Sequence, residues 1–237
     1  MGFLLMMYNV IQLIGGVMIV LIGSHKGGVG KSTILINLLM FLKLKTTQRI
    51  AVLECDEQHS VKMWLDERRE KGMVPDVDYF ECYTHIPDTA HRLANKHDLV
   101  MMDAPGSKSP EFRKCLAVAD LFISLIDPTS QVEINTLGEL VVDVRQAQTA
   151  INPKLKAMIV MNRCPTHPGD QDASTFRKMM NDDPDWLPVA RQRLFTRTSY
   201  KRAYNEGMAV HEYNDKSGNK ARAEIELLAT ELKLYSV

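Results

Sequence analysis

Two lysines stand at the ends of a glycine loop, and this spacing is typical of a site that holds phosphate groups. The loop reads Lys26-Gly27-Gly28-Val29-Gly30-Lys31-Ser32-Thr33. Glycines let the backbone turn so that several N–H groups converge on one anion. Lys31 can reach the β- and γ-phosphates of a nucleotide, and the Ser32 hydroxyl can ligate Mg²⁺. We therefore predict that residues 26–33 form a phosphate cradle.

The start of the loop departs from the common phosphate-binding pattern. The pattern G-x-x-x-x-G-K-[ST] places its first glycine at position 25, where this chain has His25. A dinucleotide fingerprint also fits poorly, because Thr33 stands where its third glycine would be. The additional lysine, Lys26, separates this chain from most nucleotide-binding sequences.

Three carboxylates at the ends of apolar segments could act on the phosphates or on a metal ion. Asp103 ends the segment 98–103 and could hold Mg²⁺ directly or through water. Its alternative role is a helix cap or an Asx turn, which Pro105-Gly106 would favour. Asp56 could orient an attacking water, and Glu54, on the same side of the same strand, competes for that role.

The elements that must position these side chains follow from alternating apolar and helical patterns. We predict strands at 18–23, 50–54, 98–103, 121–126 and 158–162, and helices from residue 31 and at 61–71, 88–96, 111–118, 132–148 and 221–235. Short buried strands separated by helices imply a mostly parallel, twisted sheet with helices on both faces. Ligands bind such an α/β fold at the carboxyl ends of its strands, where the candidate residues lie.

Composition limits the class of protein. The chain has 237 residues, 45% of them hydrophobic and 24% charged, which is typical of a soluble globular chain with a substantial core. The formal net charge is zero, so affinity for nucleic acid would need an uneven charge distribution.

Residues 191–222 contain eight basic and three acidic residues. We predict a DNA surface there, with an ordinary solvated basic face as the alternative; its candidate contacts are Arg191, Arg193, Arg197, Lys201 and Arg202.

Residues 1–17 form an uncharged, apolar extension. A membrane span needs about 20 apolar residues, but 18–23 is required for the first strand, and Asn9 and Gln12 interrupt the remainder. There is no positively charged segment of the kind that starts a secretory signal. We hypothesise that translation starts at Met18 and that the domain occupies residues 18–237.

Four segments resemble the ParA/MinD superfamily of deviant Walker ATPases, and most closely its small plasmid-partition ParA proteins. Residues 26–32 match the motif K-G-G-x-G-K-[ST] at every fixed position. In the segment resembling D-x-D-P-Q, Glu54 replaces the first aspartate and Asp56 keeps the second. Residues 103–106 resemble the Walker B segment, and Asn162-Arg163 resembles the base-contacting N-R pair.

This resemblance implies a single P-loop NTPase domain that binds ATP or ADP with Mg²⁺, held by Ser32 and Asp103. It implies that Lys31 serves its own nucleotide, that Lys26 reaches the nucleotide of a second subunit in an ATP-dependent dimer or higher polymer, and that Asp56 supports hydrolysis. Asn162 and Arg163 would contact the base. The implied ATPase is weak and is stimulated by a small ParB-like partner. Such an ATPase would bind DNA of the nucleoid without sequence preference, in the cytoplasm. Its gene would be bacterial or carried on a plasmid.

Three alternatives stay open within this resemblance. A MinD-like membrane cycle needs a basic amphipathic carboxyl-terminal helix, whereas the last predicted helix carries Glu224, Glu226 and Glu231 on its polar side, so we expect no stable membrane anchoring. An accessory ATPase of conjugation that binds transfer-origin DNA would share the same motifs. Delivery of a metal cluster is disfavoured because the chain has no C-x-x-C pair.

Overall fold

A computed structural model describes residues 17–107, 109–167, 171–214 and 218–235. Within this part, six strands run at Met18–Gly23 (β1), Ile50–Glu54 (β2), Asp78–Glu81 (β3), Leu99–Asp103 (β4), Leu121–Ile126 (β5) and Lys156–Met161 (β6). The helices run at Lys31–Lys45 (α1), Ser60–Glu70 (α2), Ile86–Ala94 (α3), Pro110–Val118 (α4), Gln131–Ala150 (α5), Asp172–Asn181 (α6), Thr198–Asn205 (α7) and Asn219–Glu231 (α8). None of these helices is long and apolar enough to cross a membrane. The hypothesis about the extension falls on residues 1–16, outside the described part, and on Val17.

All six strands form one sheet in the order β3-β2-β4-β1-β5-β6, and every neighbouring pair is parallel. The predicted parallel α/β sheet is therefore confirmed. In the strand register, Asp103 at the end of β4 lies opposite Ile22 of β1 on one side and opposite Glu54 of β2 on the other. The carboxyl ends of these three strands consequently meet at one edge, where the glycine loop also begins.

Helices cover both faces of the sheet and enclose two apolar cores. Alternate residues of β1 point to opposite sides, so Val20 and Ile22 pack with α1, α2, α7 and α8, whereas Ile19 and Leu21 pack with α3, α4, α5 and α6. Helix α1 is the most enclosed, because residues 34–42 are all buried. The glycine loop therefore leads into a helix that has little freedom to move.

For most elements, the observed first and last residues agree with the predicted ones to within about two residues. Strands β1, β2 and β5 have the predicted limits, β4 starts one residue late, and β6 spans 156–161 instead of 158–162. Three elements were not predicted: β3, α6 and α7. Strand β3 lies at the sheet edge and has no fully buried residue, so it lacks the apolar run that marks the inner strands.

The apolar stripe of the last helix packs into the core. Ile225 and Leu228 are fully buried, and Leu232, immediately after α8, is 5% exposed. The observed helix starts two residues before the predicted span 221–235 and ends at Glu231, with its apolar side facing α1 rather than the surface.

Candidate functional site

The glycine loop between β1 and α1 has a backbone shape that requires glycine at two positions. Gly28 and Gly30 have φ angles of 83° and 99°, in the left-handed region that side chains disfavour. A Cβ atom on Gly30 would lie 2.8 Å from Asn162 Nδ2, and that amide donates to the Val29 carbonyl at 2.7 Å. Gly30 is also the N-cap of α1, so the unpaired N–H groups of the first helical turn face any anion bound in the loop.

A cleft of about 570 Å³ opens above this loop at the carboxyl edge of the sheet. A Cβ atom on Gly27 or Gly28 would meet nothing within 4 Å, so the loop backbone is accessible from the cleft. Of the predicted loop contacts, Val29 does not line the cleft, because its side chain is buried in the core. The cleft is lined by Ser24, Lys26, Gly27, Gly28, Gly30, Lys31, Ser32, Thr33, Asp56, Gln58, Ser60, Gly106, Arg163 and Tyr204.

Ser32 and Asp103 lie together at the floor of the site, at the junction of α1 and β4. The Ser32 hydroxyl donates to Asp103 Oδ2 at 2.5 Å. Asp103 is fully buried, and its other oxygen, Oδ1, has no hydrogen-bond partner among the described residues. Burial raises the pKa of this carboxyl group to about 7, against the opposing effect of the Ser32 hydrogen bond. A hydroxyl beside a buried carboxylate with an unpaired oxygen fits the oxygen ligands that Mg²⁺ takes.

Lys31 and Asp56 face each other inside the cleft. Lys31 Nζ lies 3.6 Å from Asp56 Oδ2, and both side chains are largely shielded from solvent. Asp56 follows β2, and its Oδ1 accepts the backbone N–H of Gln58 at 3.1 Å, which fixes the carboxylate in a short turn. The site therefore brings an ammonium group and a carboxylate to the position above the glycine loop where phosphates would bind.

Glu54 has a different environment from Asp56, although both come from the end of β2. Glu54 is fully buried and accepts the backbone N–H groups of Val61 and Lys62, at 2.8 and 3.1 Å, together with the Tyr79 hydroxyl. Burial raises its pKa, while these hydrogen bonds oppose the shift. Glu54 does not line the cleft and instead satisfies the first turn of α2, so the geometry favours Asp56 as the carboxylate that can reach a ligand.

Lys26, at the other end of the loop, is half-buried and lines the same cleft. Within the described part of the chain, its ammonium group forms no ion pair with a carboxylate. This distinguishes it from Lys31, which Asp56 contacts. The ammonium group of Lys26 is thus available to a ligand or to a second molecule.

The sequence of the chain that contains this site matches a known family model. The model describes the CobQ/CobB/MinD/ParA nucleotide binding domain, named CbiA, and it matches residues 20–210. The chain belongs to this family.

Relatives in the CbiA family cover most of this chain. The maintenance of carboxysome distribution protein A of Halothiobacillus neapolitanus is 25% identical over 89% of this chain and 94% of its own length. The chromosome-partitioning ATPase Soj of Thermus thermophilus is 26% identical over 59% of this chain and 66% of its own. A solved structure of a Cyanothece McdA variant in complex with ATP has a TM-score of 0.69 at 13% identity, covering 93% of this chain and 98% of that one. The chain is thus related to partition and positioning proteins, and its fold is that of a ParA-like ATPase.

A second cleft of about 320 Å³ in this CbiA domain joins the first at the end of β6. Asn162 and Arg163, the predicted base-contacting pair, both line it, and Arg163 lines the first cleft as well. The remaining lining residues are Gly30, Thr33, Ile34, Phe195, Thr196, Arg197, Tyr200, Lys201 and Tyr204. Two connected clefts, one over the glycine loop and one lined by aromatic rings, suit a phosphate chain and a base.

Two tyrosines of α7 were missed as site residues. Tyr200 and Tyr204 stand four residues apart on one helical face, and both line the second cleft. Their i, i+4 spacing beside the exposed Lys201 and Arg202 is an amphipathic pattern that would have predicted α7 and its inward face.

The five candidate DNA contacts of this CbiA protein differ in exposure. Arg191, Lys201 and Arg202 are exposed. Arg193 and Arg197 are half-buried, with their guanidinium groups 5.0 and 5.3 Å from the Phe195 ring centre. Arg197 also contacts Glu224 at 2.5 Å and lines the second cleft, so its charge is directed inward.

Proposed function

We propose that this protein is an ATPase that dimerises on ATP, binds DNA without sequence preference, and leaves the DNA when a partner protein stimulates hydrolysis. The observation that carries the proposal is the pair of loop lysines: Asp56 contacts Lys31 inside the cleft, whereas Lys26 lines the same cleft without an ion-pair partner in the described residues. Such a cycle would move or separate a cargo on the nucleoid, in the cytoplasm.

Within one subunit, the positions of the side chains support the proposed chemistry. The loop N–H groups and Lys31 hold the phosphates of ATP, and Asn162 and Arg163 contact the base in the second cleft. Asp56 orients a water molecule for attack on the γ-phosphorus and accepts a proton from it, while the bond from the γ-phosphorus to the bridging oxygen breaks and ADP leaves. Mg²⁺, held by Ser32 and by Asp103 directly or through water, would neutralise charge on the phosphate oxygens.

Between two subunits, Lys26 of each would approach the nucleotide of the other. An added positive charge stabilises the negative charge that develops during phosphoryl transfer, as an arginine finger does. Because the γ-phosphate would hold the two copies together, its removal would separate them. The relatives named for chromosome partitioning and carboxysome distribution support a role in which such a cycle positions a cargo.

The proposal is tested by measuring ATP turnover of the full chain with and without duplex DNA, and with and without the small DNA-binding protein that a neighbouring gene of a partition system would encode. We expect slow turnover that the partner accelerates, and retention of arbitrary duplex DNA only with ATP, weakening as salt increases. Absence of turnover under every condition would contradict the ATPase assignment. ATP-dependent binding to anionic vesicles in preference to DNA would favour a membrane-cycling protein instead.

A further inference from the structure

Buried hydrogen bonds join helix α2 to the segment that follows α7. The Arg68 guanidinium is fully buried; it donates to the Gly207 carbonyl at 3.1 Å and to both carboxylate oxygens of Glu212, at 2.9 and 2.8 Å. The Trp64 indole donates to the Met208 carbonyl at 3.2 Å. A Cβ atom on Gly207 would lie 2.6 Å from the Arg68 backbone nitrogen, so the two segments approach as closely as glycine allows.

One further contact joins these two elements inside the candidate site. The Tyr204 hydroxyl donates to the carbonyl of Ser60, the first residue of α2, at 2.6 Å. Tyr204 is half-buried, and its side chain lines both clefts, the one over the glycine loop and the one beside Asn162 and Arg163. Burial, and to a lesser extent the nearby carboxylates, raise the pKa of this hydroxyl group.

The first residue of α2 is in turn close to Asp56, both along the chain and through hydrogen bonds. The His59 N–H donates to the Asp56 carbonyl at 3.2 Å, and the Met63 N–H donates to the His59 carbonyl at 2.9 Å. His59 adopts a left-handed backbone, with φ 52°, immediately before Ser60. The turn that carries the carboxylate is therefore continuous with the start of α2, and a shift of that start would move Asp56.

We propose that Tyr204 is a positioning residue for ATP hydrolysis, because its hydroxyl holds the start of α2 and thereby the turn that carries Asp56. Tyr204 lines the second cleft, where the base is proposed to bind, and its hydroxyl contacts Ser60 beside the cleft over the glycine loop. One residue therefore contributes to both clefts. The inference rests on the proposed function, since it presumes that Asp56 supports hydrolysis. It assigns to α7 a role inside the site that is separate from the basic residues on the helix surface.

The test is Tyr204→Phe, which keeps the ring and removes the hydrogen bond. Loss of one such bond should lower kcat for ATP by about 3- to 10-fold, while KM changes by less than about twofold. Hydrogen exchange measured by mass spectrometry should rise in residues 55–62 and stay unchanged in residues 29–40. A residue that only stabilises the fold would not produce this separation between kcat and KM or this local pattern of exchange.

Tyr213→Phe is the control. This variant also removes a tyrosine hydroxyl from the chain that follows α7, but Tyr213 lines neither cleft and packs at the edge of the core. We expect kcat of this variant to match the wild type. Equal losses of kcat in the two variants, or an unchanged kcat in Tyr204→Phe, would overturn the inference. A wild-type protein that hydrolyses no ATP would instead contradict the proposed function itself, so the two failures are distinguishable.

Discussion

The two lysines of the glycine loop differ in what surrounds them. Lys31 Nζ lies 3.6 Å from Asp56, whereas Lys26 has no ion-pair partner in the described residues. A lysine engaged inside the cleft suits a role in holding the nucleotide of its own subunit. A lysine without an ion-pair partner, at the mouth of the loop, suits a role between subunits.

Lys26→Ala should bind ATP with nearly wild-type affinity but fail to dimerise, because only the proposed contact to the second subunit is removed. Lys31→Ala should lose ATP binding, since it removes the ammonium group at the phosphates. Isothermal titration gives the affinities, and light scattering with ATP gives the molecular mass. Normal ATP-dependent dimerisation of Lys26→Ala would refute the proposed role of this lysine.

Asp56→Asn should bind ATP at least as tightly as the wild type and reduce hydrolysis by roughly 100-fold or more, the usual effect of removing a group that transfers a proton. The matched control is Glu57→Gln, which neutralises the neighbouring carboxylate; Glu57 is exposed and does not line the cleft over the glycine loop. Phosphate release under steady-state conditions measures both variants. Equal activity of the two would remove Asp56 from the proposed mechanism.

Among the elements, α2 depends on polar anchors at both of its ends. Glu54 accepts two N–H groups of its first turn, and Arg68, near its last turn, is buried against Glu212. Neither anchor could be assigned from sequence. The partners of Arg68 include groups more than a hundred residues away along the chain. Glu54 occupies a position in the sequence that resembles that of a hydrolytic carboxylate. The inner strands were predictable, because burial on both faces makes their sequences continuously apolar.

Arg68→Ala should destabilise the fold by about 3–5 kcal/mol, since it leaves Glu212 without its partner in a largely buried position. For a chain of this size the loss corresponds to a decrease in Tm of roughly 10 °C. Arg69→Ala is the matched control on the same helix, because Arg69 pairs with Asp76 at the exposed surface and should cost at most about 1 kcal/mol. Similar Tm values for the two variants in thermal unfolding would contradict the importance of the buried pair.

At the level of the whole molecule, charge is distributed unevenly although the net charge is zero. The predicted basic surface divides in the structure: Arg191, Lys201 and Arg202 face solvent, while Arg197 is paired with Glu224. Counting charges along the chain could not separate these groups, because the pairing partner comes from a different helix. Lys216, counted in the same stretch, lies outside the described residues.

Replacing Lys201 and Arg202 together by alanine should weaken binding of arbitrary duplex DNA. If both residues contact phosphates, the slope of log K against log salt should become shallower by about 2. The control is Lys96→Ala with Lys154→Ala, which removes the same charge from exposed positions before β4 and β6, at the opposite edge of the sheet. Fluorescence anisotropy over a range of salt measures both proteins. Equal salt slopes would place the DNA surface elsewhere.

If Lys31 holds the phosphates of ATP as proposed, its contact with Asp56 makes that carboxylate a competitor of ATP for a single ammonium group. A triphosphate that binds Lys31 would displace Asp56, and part of its binding free energy would be spent on the exchange. Removing the carboxylate charge should therefore tighten the complex with ATP while slowing turnover. The proposed role of Asp56 therefore combines weaker nucleotide binding and faster turnover in one side chain.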